Sequence, residues 1–125
     1  MRDRPYLLSE AARWLVLSSI LEVCAIRGWN LLAAHVRTNH AYAVFEADAI
    51  PEKVLLDFKV NSSRELNRQE GKRMRWARHG STRYLWTKSE IDRAVGYVVS
   101  KQGPPMSLYE APPRAPAQVA ENISS

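Results

Sequence analysis

Apolar positions along this chain recur with two different spacings, and the switches between them mark its elements. From Ser9 to Gly28 the run EAARWLVLSSILEVCAIRG keeps a helical spacing, with Ser9 placed as N-cap and Gly28 as the residue that ends the helix. Its apolar content is high all round, which predicts burial on more than one side. WNLLAAHV and HAYAVFEA then read as short strands joined by the polar RTN, the pattern of a hairpin. Pro51 opens a second helix, PEKVLLDFKVNSSRELNRQ, with Val54, Leu55, Phe58 and Leu66 as its apolar stripe. A basic connector, GKRMRWARHGSTR, leads to a short strand, YLW, and to a third helix, KSEIDRAVGYVVSKQ, whose start is marked by the capping-box spacing of Thr87 and Glu90. The predicted order is α-β-β-α-β-α, an α+β sandwich with helices on a small antiparallel sheet.

After Gly103 the pattern lapses. Five of the seven prolines stand at positions 104, 105, 112, 113 and 116 with few large apolar residues around them, so residues 106–125 are expected to form a Pro-rich, disordered tail behind a domain of residues 1–105. A chain of 125 residues holds one core and is too short for two. The net charge of +5 mildly favours a polyanionic partner. Cys24 is the sole cysteine, which excludes an internal disulfide and suits a reducing compartment. The longest apolar run, residues 14 to 26, is broken by Ser18, Ser19 and Glu22 and is short for a membrane span. No signal-peptide layout surrounds it, so the expected setting is cytoplasmic, with nucleoid association and no membrane partner.

Three features could carry chemistry. Strand alternation puts His40, Tyr42, Val44 and Glu46 on one face, so His40 and Tyr42 point the same way. A lone histidine beside a turn is more often structural or simply exposed; the sharper reading is a metal ligand. On the third helix Ile91, Ala94, Val95 and Val98 make the apolar face, and Tyr97 sits on its flank with Glu90 and Lys101. Such a tyrosine commonly packs its ring and wets its hydroxyl, but a phenolic oxygen can also attack a phosphodiester when a metal polarises the phosphate. Residues 71 to 89 hold Lys72, Arg73, Arg75, Arg78, Arg83 and Lys88 without an acidic residue, interleaved with Trp76, Tyr84 and Trp86. Cations neutralise phosphates and exposed aromatic faces stack unpaired bases; the plainer alternative is a solvated basic loop whose tryptophans belong to the core.

Taken together, RGWNLLAAHVRTNHAYAVFEA, PEKVLLDFKVNSSRELN and RHGSTRYLWTKSEIDRAVGYVVSKQGPPM resemble the single-tyrosine HUH transposases, in their REP-associated branch related to small insertion-sequence transposases. The resemblance covers residues 5 to about 106 and rests on several segments in the right order. It implies a ferredoxin-like α/β sandwich and a transposase-like protein that binds single-stranded or hairpin DNA, nicking and joining it through a phosphotyrosine intermediate. His40 matches the first histidine of the HUH pair, and Tyr97 matches the nucleophile. Lys59 and Ser62 fall on the family's Lys-Ser stretch and would face DNA. A divalent cation, Mg or Mn, would sit on the histidine pair, with a polar residue after the tyrosine completing its site. Gln102 is the better donor there, because Lys101 would repel a cation. Arg73, Arg75, Arg78 and His79 would lie on the DNA side.

The departures carry equal weight. Tyr42 stands where the second histidine belongs, and a neutral phenol is a poor substitute for imidazole. His35, on the neighbouring strand, is a lesser candidate to compensate. The family's first strand is missing ahead of RPYLLSE; a mis-assigned start, a truncated gene copy or a strand supplied by a partner chain would each account for that. The expected activity is therefore weakened or lost, and the alternative is an inactive DNA-binding remnant of such a transposase.

Overall fold

The computed structural model describes residues 7–72 and 82–112. Helix α1 spans Glu10–Arg27; the Ser9 hydroxyl accepts the Ala12 N–H at 3.1 Å, and the helix stops where Gly28 turns to φ +76 and returns its N–H to the Cys24 carbonyl. Strands β1 (Asn30–Val36) and β2 (Ala41–Glu46) pair antiparallel, with the Arg37 N–H donated to the His40 carbonyl at 2.8 Å across the tip. Helix α2 (Pro51–Glu70) begins at Pro51, where a missing N–H costs nothing. Helix α3 (Lys88–Ser100) begins with a complete capping box between Thr87 and Glu90. Strand β3 (Ser107–Glu110) closes a three-stranded sheet of order β2-β1-β3, antiparallel throughout.

Two expectations are corrected here. YLW, residues 84 to 86, forms no strand, because the Trp86 N–H is captured by the Glu90 carboxylate at 2.7 Å as part of the helix cap. The third strand lies instead after α3, inside the stretch expected to be a disordered tail. Its four residues pair with Ala33 to Val36, and Ser107 is fully buried, so the packed chain runs past position 105 to at least Glu110. The order is α-β-β-α-α-β.

Helices cover both faces of the sheet. A bulge at Leu32 lets β1 keep Leu31, Ala34 and Val36 against α1 and α2, while Leu32, Ala33 and His35 meet the α3 side. On β2, Ala41, Ala43 and Phe45 belong to the first core and Val44 to the second. Phe58 of α2 meets Phe45 edge-on at 5.7 Å and Trp29 at 6.3 Å, which ties that helix to the sheet. Each such buried side chain contributes about 1.5–3 kcal/mol by leaving water. Asp57, buried, joins α2 to α1 through Arg27 at 3.3 Å and also takes Lys53 of its own helix at 3.1 Å. No helix among the described residues is long and apolar enough to cross a membrane. Among them, too, β2 carries no partner on its outer edge.

Candidate functional site

The hairpin tip and the last turns of α3 bring three aromatic rings together. Alternation along β2 sends Tyr42 to the α3 side, where its ring stands edge-on to Tyr97 with centroids 6.0 Å apart. His40, one residue before the strand, also meets Tyr42 edge-on, at 5.0 Å. The imidazole and the phenol that the resemblance singles out thus both touch Tyr42. All three are exposed: Tyr42 shows 37 % of its surface and Tyr97 52 %.

Asn39 orients His40. Its Oδ1 lies 2.6 Å from Nδ1 and, as a carbonyl oxygen, can only accept, so in the neutral ring that nitrogen carries the proton and Nε2 keeps its lone pair. This is the arrangement by which an outer partner prepares an imidazole as ligand or base. At the end of α3 the Gln102 amide donates to the Tyr97 carbonyl at 3.4 Å, a long bond that draws its side chain back onto the helix end. A cleft of about 1020 Å³ runs along β2 between α2 and α3, lined by Tyr42, Phe45, Leu55, Phe58, Tyr97 and Lys101 among others. His40 does not line it and reaches it through Tyr42.

His35 has a different task. It is fully buried, and its Nε2 accepts the Met106 N–H at 2.9 Å, which obliges Nδ1 to carry the proton that it gives to the Val98 carbonyl at 3.1 Å. Burial lowers its pKa from the ordinary 6.5, and the nearby charges of Arg37 and His40 push the same way against the Val98 carbonyl. With both nitrogens engaged it is a neutral staple between β1, α3 and the approach to β3, and it offers no lone pair to a metal.

The donors present do not compose a divalent-cation site as they stand. One prepared imidazole faces a phenol, Gln102 is turned to a backbone carbonyl, and no group of three or more His, Cys, Asp or Glu side chains suited to a metal occurs among the described residues.

The remaining expected residues separate. Ser62 is corrected outright: it is 1 % exposed and its hydroxyl has no hydrogen-bond partner, so it cannot face DNA. The spacing explains why, since 54, 58, 62 and 66 are four apart and fall on one buried stripe of α2. Lys59 lies on the surface of α2 beside a shallow hollow with Val60, Ser63, Arg64 and Asn67, and does not line the Tyr97 cleft. Arg73, Arg75, Arg78 and His79 lie outside the described residues. The sequence alone assigned Asn39 no role, although its place beside His40 was a readable signal, and left the pairing of Tyr84 with Trp86 unrecognised; those two rings stack at 5.2 Å and 17°.

No family model, curated protein or solved structure matches this chain.

Proposed function

We propose that this chain binds single-stranded or hairpin DNA on the face carrying Tyr97, as a transposase-like domain of the single-tyrosine HUH type whose nicking is held down by Tyr42. The observation that carries the reading is the juxtaposition of His40, Tyr42 and Tyr97, with Asn39 leaving the His40 Nε2 lone pair available. In the reaction, the Tyr97 oxygen bonds to phosphorus as its proton departs, the P–O3′ bond breaks, and the 3′ oxygen leaves with a proton. An exposed phenol at a helix end beside an open cleft suits that attack sterically. What the natural chain lacks is the second imidazole that would hold Mg or Mn at the phosphate, so binding is the activity expected to dominate.

The test is incubation with hairpin-forming single-stranded oligonucleotides and manganese, followed by a denaturing gel. Tyr42→His should give a covalent protein–DNA adduct, the natural protein a trace or none, and Tyr42→His with Tyr97→Phe none. DNA binding without an adduct from Tyr42→His would reduce the protein to the second reading, an inactive binding remnant, which the incomplete donor set favours. Failure to bind DNA at low salt would overturn both.

A further inference from the structure

Between the connector and α3, residues 82 to 86 form no helix and do not join the sheet, and Leu85 alone among them is partly buried. Leu85 turns inward and packs against the cluster of Ala33, Val44 and Val98. Tyr84 and Trp86 turn outward and stack on each other with ring centroids 5.2 Å apart and planes within 17°. Trp86 leaves 77 % of its surface in water and Tyr84 53 %.

This exposure is held in place from two sides. The Leu85 side chain anchors the middle of the segment, and the Glu90 carboxylate fixes its end by accepting the Trp86 and Thr87 N–H groups at 2.7 and 3.0 Å. Burial therefore does not explain the indole, which adds little to the core, and flexibility does not explain it either, because its backbone is tied down. A fixed, open aromatic face has a recognised use: it accepts another flat π-system, and preorganisation lowers the entropy lost when it does so. Arg83 and Lys88 flank the pair in sequence, Lys88 sharing its charge with Asp92 at 3.1 Å, and the chain as a whole carries +5, which favours a polyanion over a neutral ring such as a sugar.

We infer that the Tyr84–Trp86 stack is a docking platform for one unpaired base of a DNA single strand, the base adding a third layer on the open face of Trp86. The inference rests on the DNA-binding reading above and specifies where a base is held. The platform stands at the start of α3 and Tyr97 near its end, about 14 Å further along the axis at ~1.5 Å per residue. The held base and the phosphate that Tyr97 faces are thus separated by a few nucleotides, and the platform sets the register of the strand.

The experiment walks a single abasic position along a hairpin oligonucleotide with a single-stranded extension and measures affinity for natural protein, Trp86→Ala and Trp86→Phe. Trp86→Ala should weaken binding to the intact oligonucleotide roughly tenfold, in keeping with base–aromatic stacking, with Trp86→Phe in between. At one or two adjacent positions, all in the unpaired extension, the abasic oligonucleotide should weaken natural protein but not Trp86→Ala. Circular dichroism and melting should be unchanged in both variants. If natural protein binds DNA and every abasic position affects it and Trp86→Ala equally, the platform is refuted while DNA binding stands. If natural protein binds no DNA, both fall.

Discussion

Tyr42 meets Tyr97 edge to face, their ring centroids 6.0 Å apart and their planes at 88°, and this contact joins β2 to the end of α3. Such aromatic pairs contribute about 0.5–1.5 kcal/mol beyond the area they bury, and the exposure of both rings places this one at the lower end. A double-mutant cycle of Tyr42→Ala and Tyr97→Ala, followed by urea denaturation, should therefore return a coupling of about 0.5 kcal/mol or more. Strict additivity would show that the rings do not meet in solution, and would remove the geometry on which the nicking proposal stands.

His35 makes stability depend on pH. Its folded pKa lies below the unfolded 6.5, so the unfolded chain binds the proton more readily between the two values. The contribution is fully present above 6.5 and is lost as pH falls from there through the folded pKa. Natural protein should lose stability from pH 7.5 towards pH 5.5. His35→Gln keeps a side chain of similar reach without a titrating nitrogen and should flatten this limb, at a cost of about 1–3 kcal/mol at neutral pH because one buried backbone group is left unpaired. Urea midpoints at the two pH values measure both effects; an unchanged slope in His35→Gln would assign the dependence to another group.

Ser62 offers a test in the opposite direction. A buried hydroxyl without a partner carries its desolvation cost uncompensated, so Ser62→Ala should be neutral or stabilising by up to about 1 kcal/mol in thermal denaturation. DNA affinity should not change, because the side chain does not reach the surface. A loss of binding with unchanged stability would reinstate Ser62 as a DNA-facing residue.

How legible these features were in the chain depended on range. Ser9, Gly28, Pro51 and the Thr87–Glu90 box act on groups within a turn, and the helix ends follow from them. β3 depends on a neighbour 71 residues away, as in the pairing of Val36 with Ser107, and SLYE lies among prolines that argue locally against a strand. YLW has the composition of a strand, but its last N–H was already committed to Glu90. At the site, alternation correctly put Tyr42 beside His40, yet no periodicity could foretell that Val98 and Met106 would occupy both nitrogens of His35. Ser62 was misplaced for a different reason: a family motif outweighed the four-residue spacing that already set it inward.

The cap of α3 provides the last prediction, because it holds both the helix and the backbone of Trp86. The Trp86 and Thr87 N–H groups hold the Glu90 carboxyl below its usual 4.5. With the folded pKa depressed, the stabilisation is present above 4.5 and disappears as pH falls through the folded value. Glu90→Gln keeps an acceptor for one N–H but removes the charge, so it should be less stable at neutral pH and lose less stability than natural protein as pH falls. Thr87→Ala deletes the other half of the box and should cost about 1 kcal/mol at any pH. Acid titrations followed by far-UV circular dichroism separate the two: Thr87→Ala lowers the whole curve, whereas Glu90→Gln flattens its acid limb. Should Glu90→Gln retain the full acid limb, the carboxylate is not engaged with the two N–H groups, and Trp86 is not held as described.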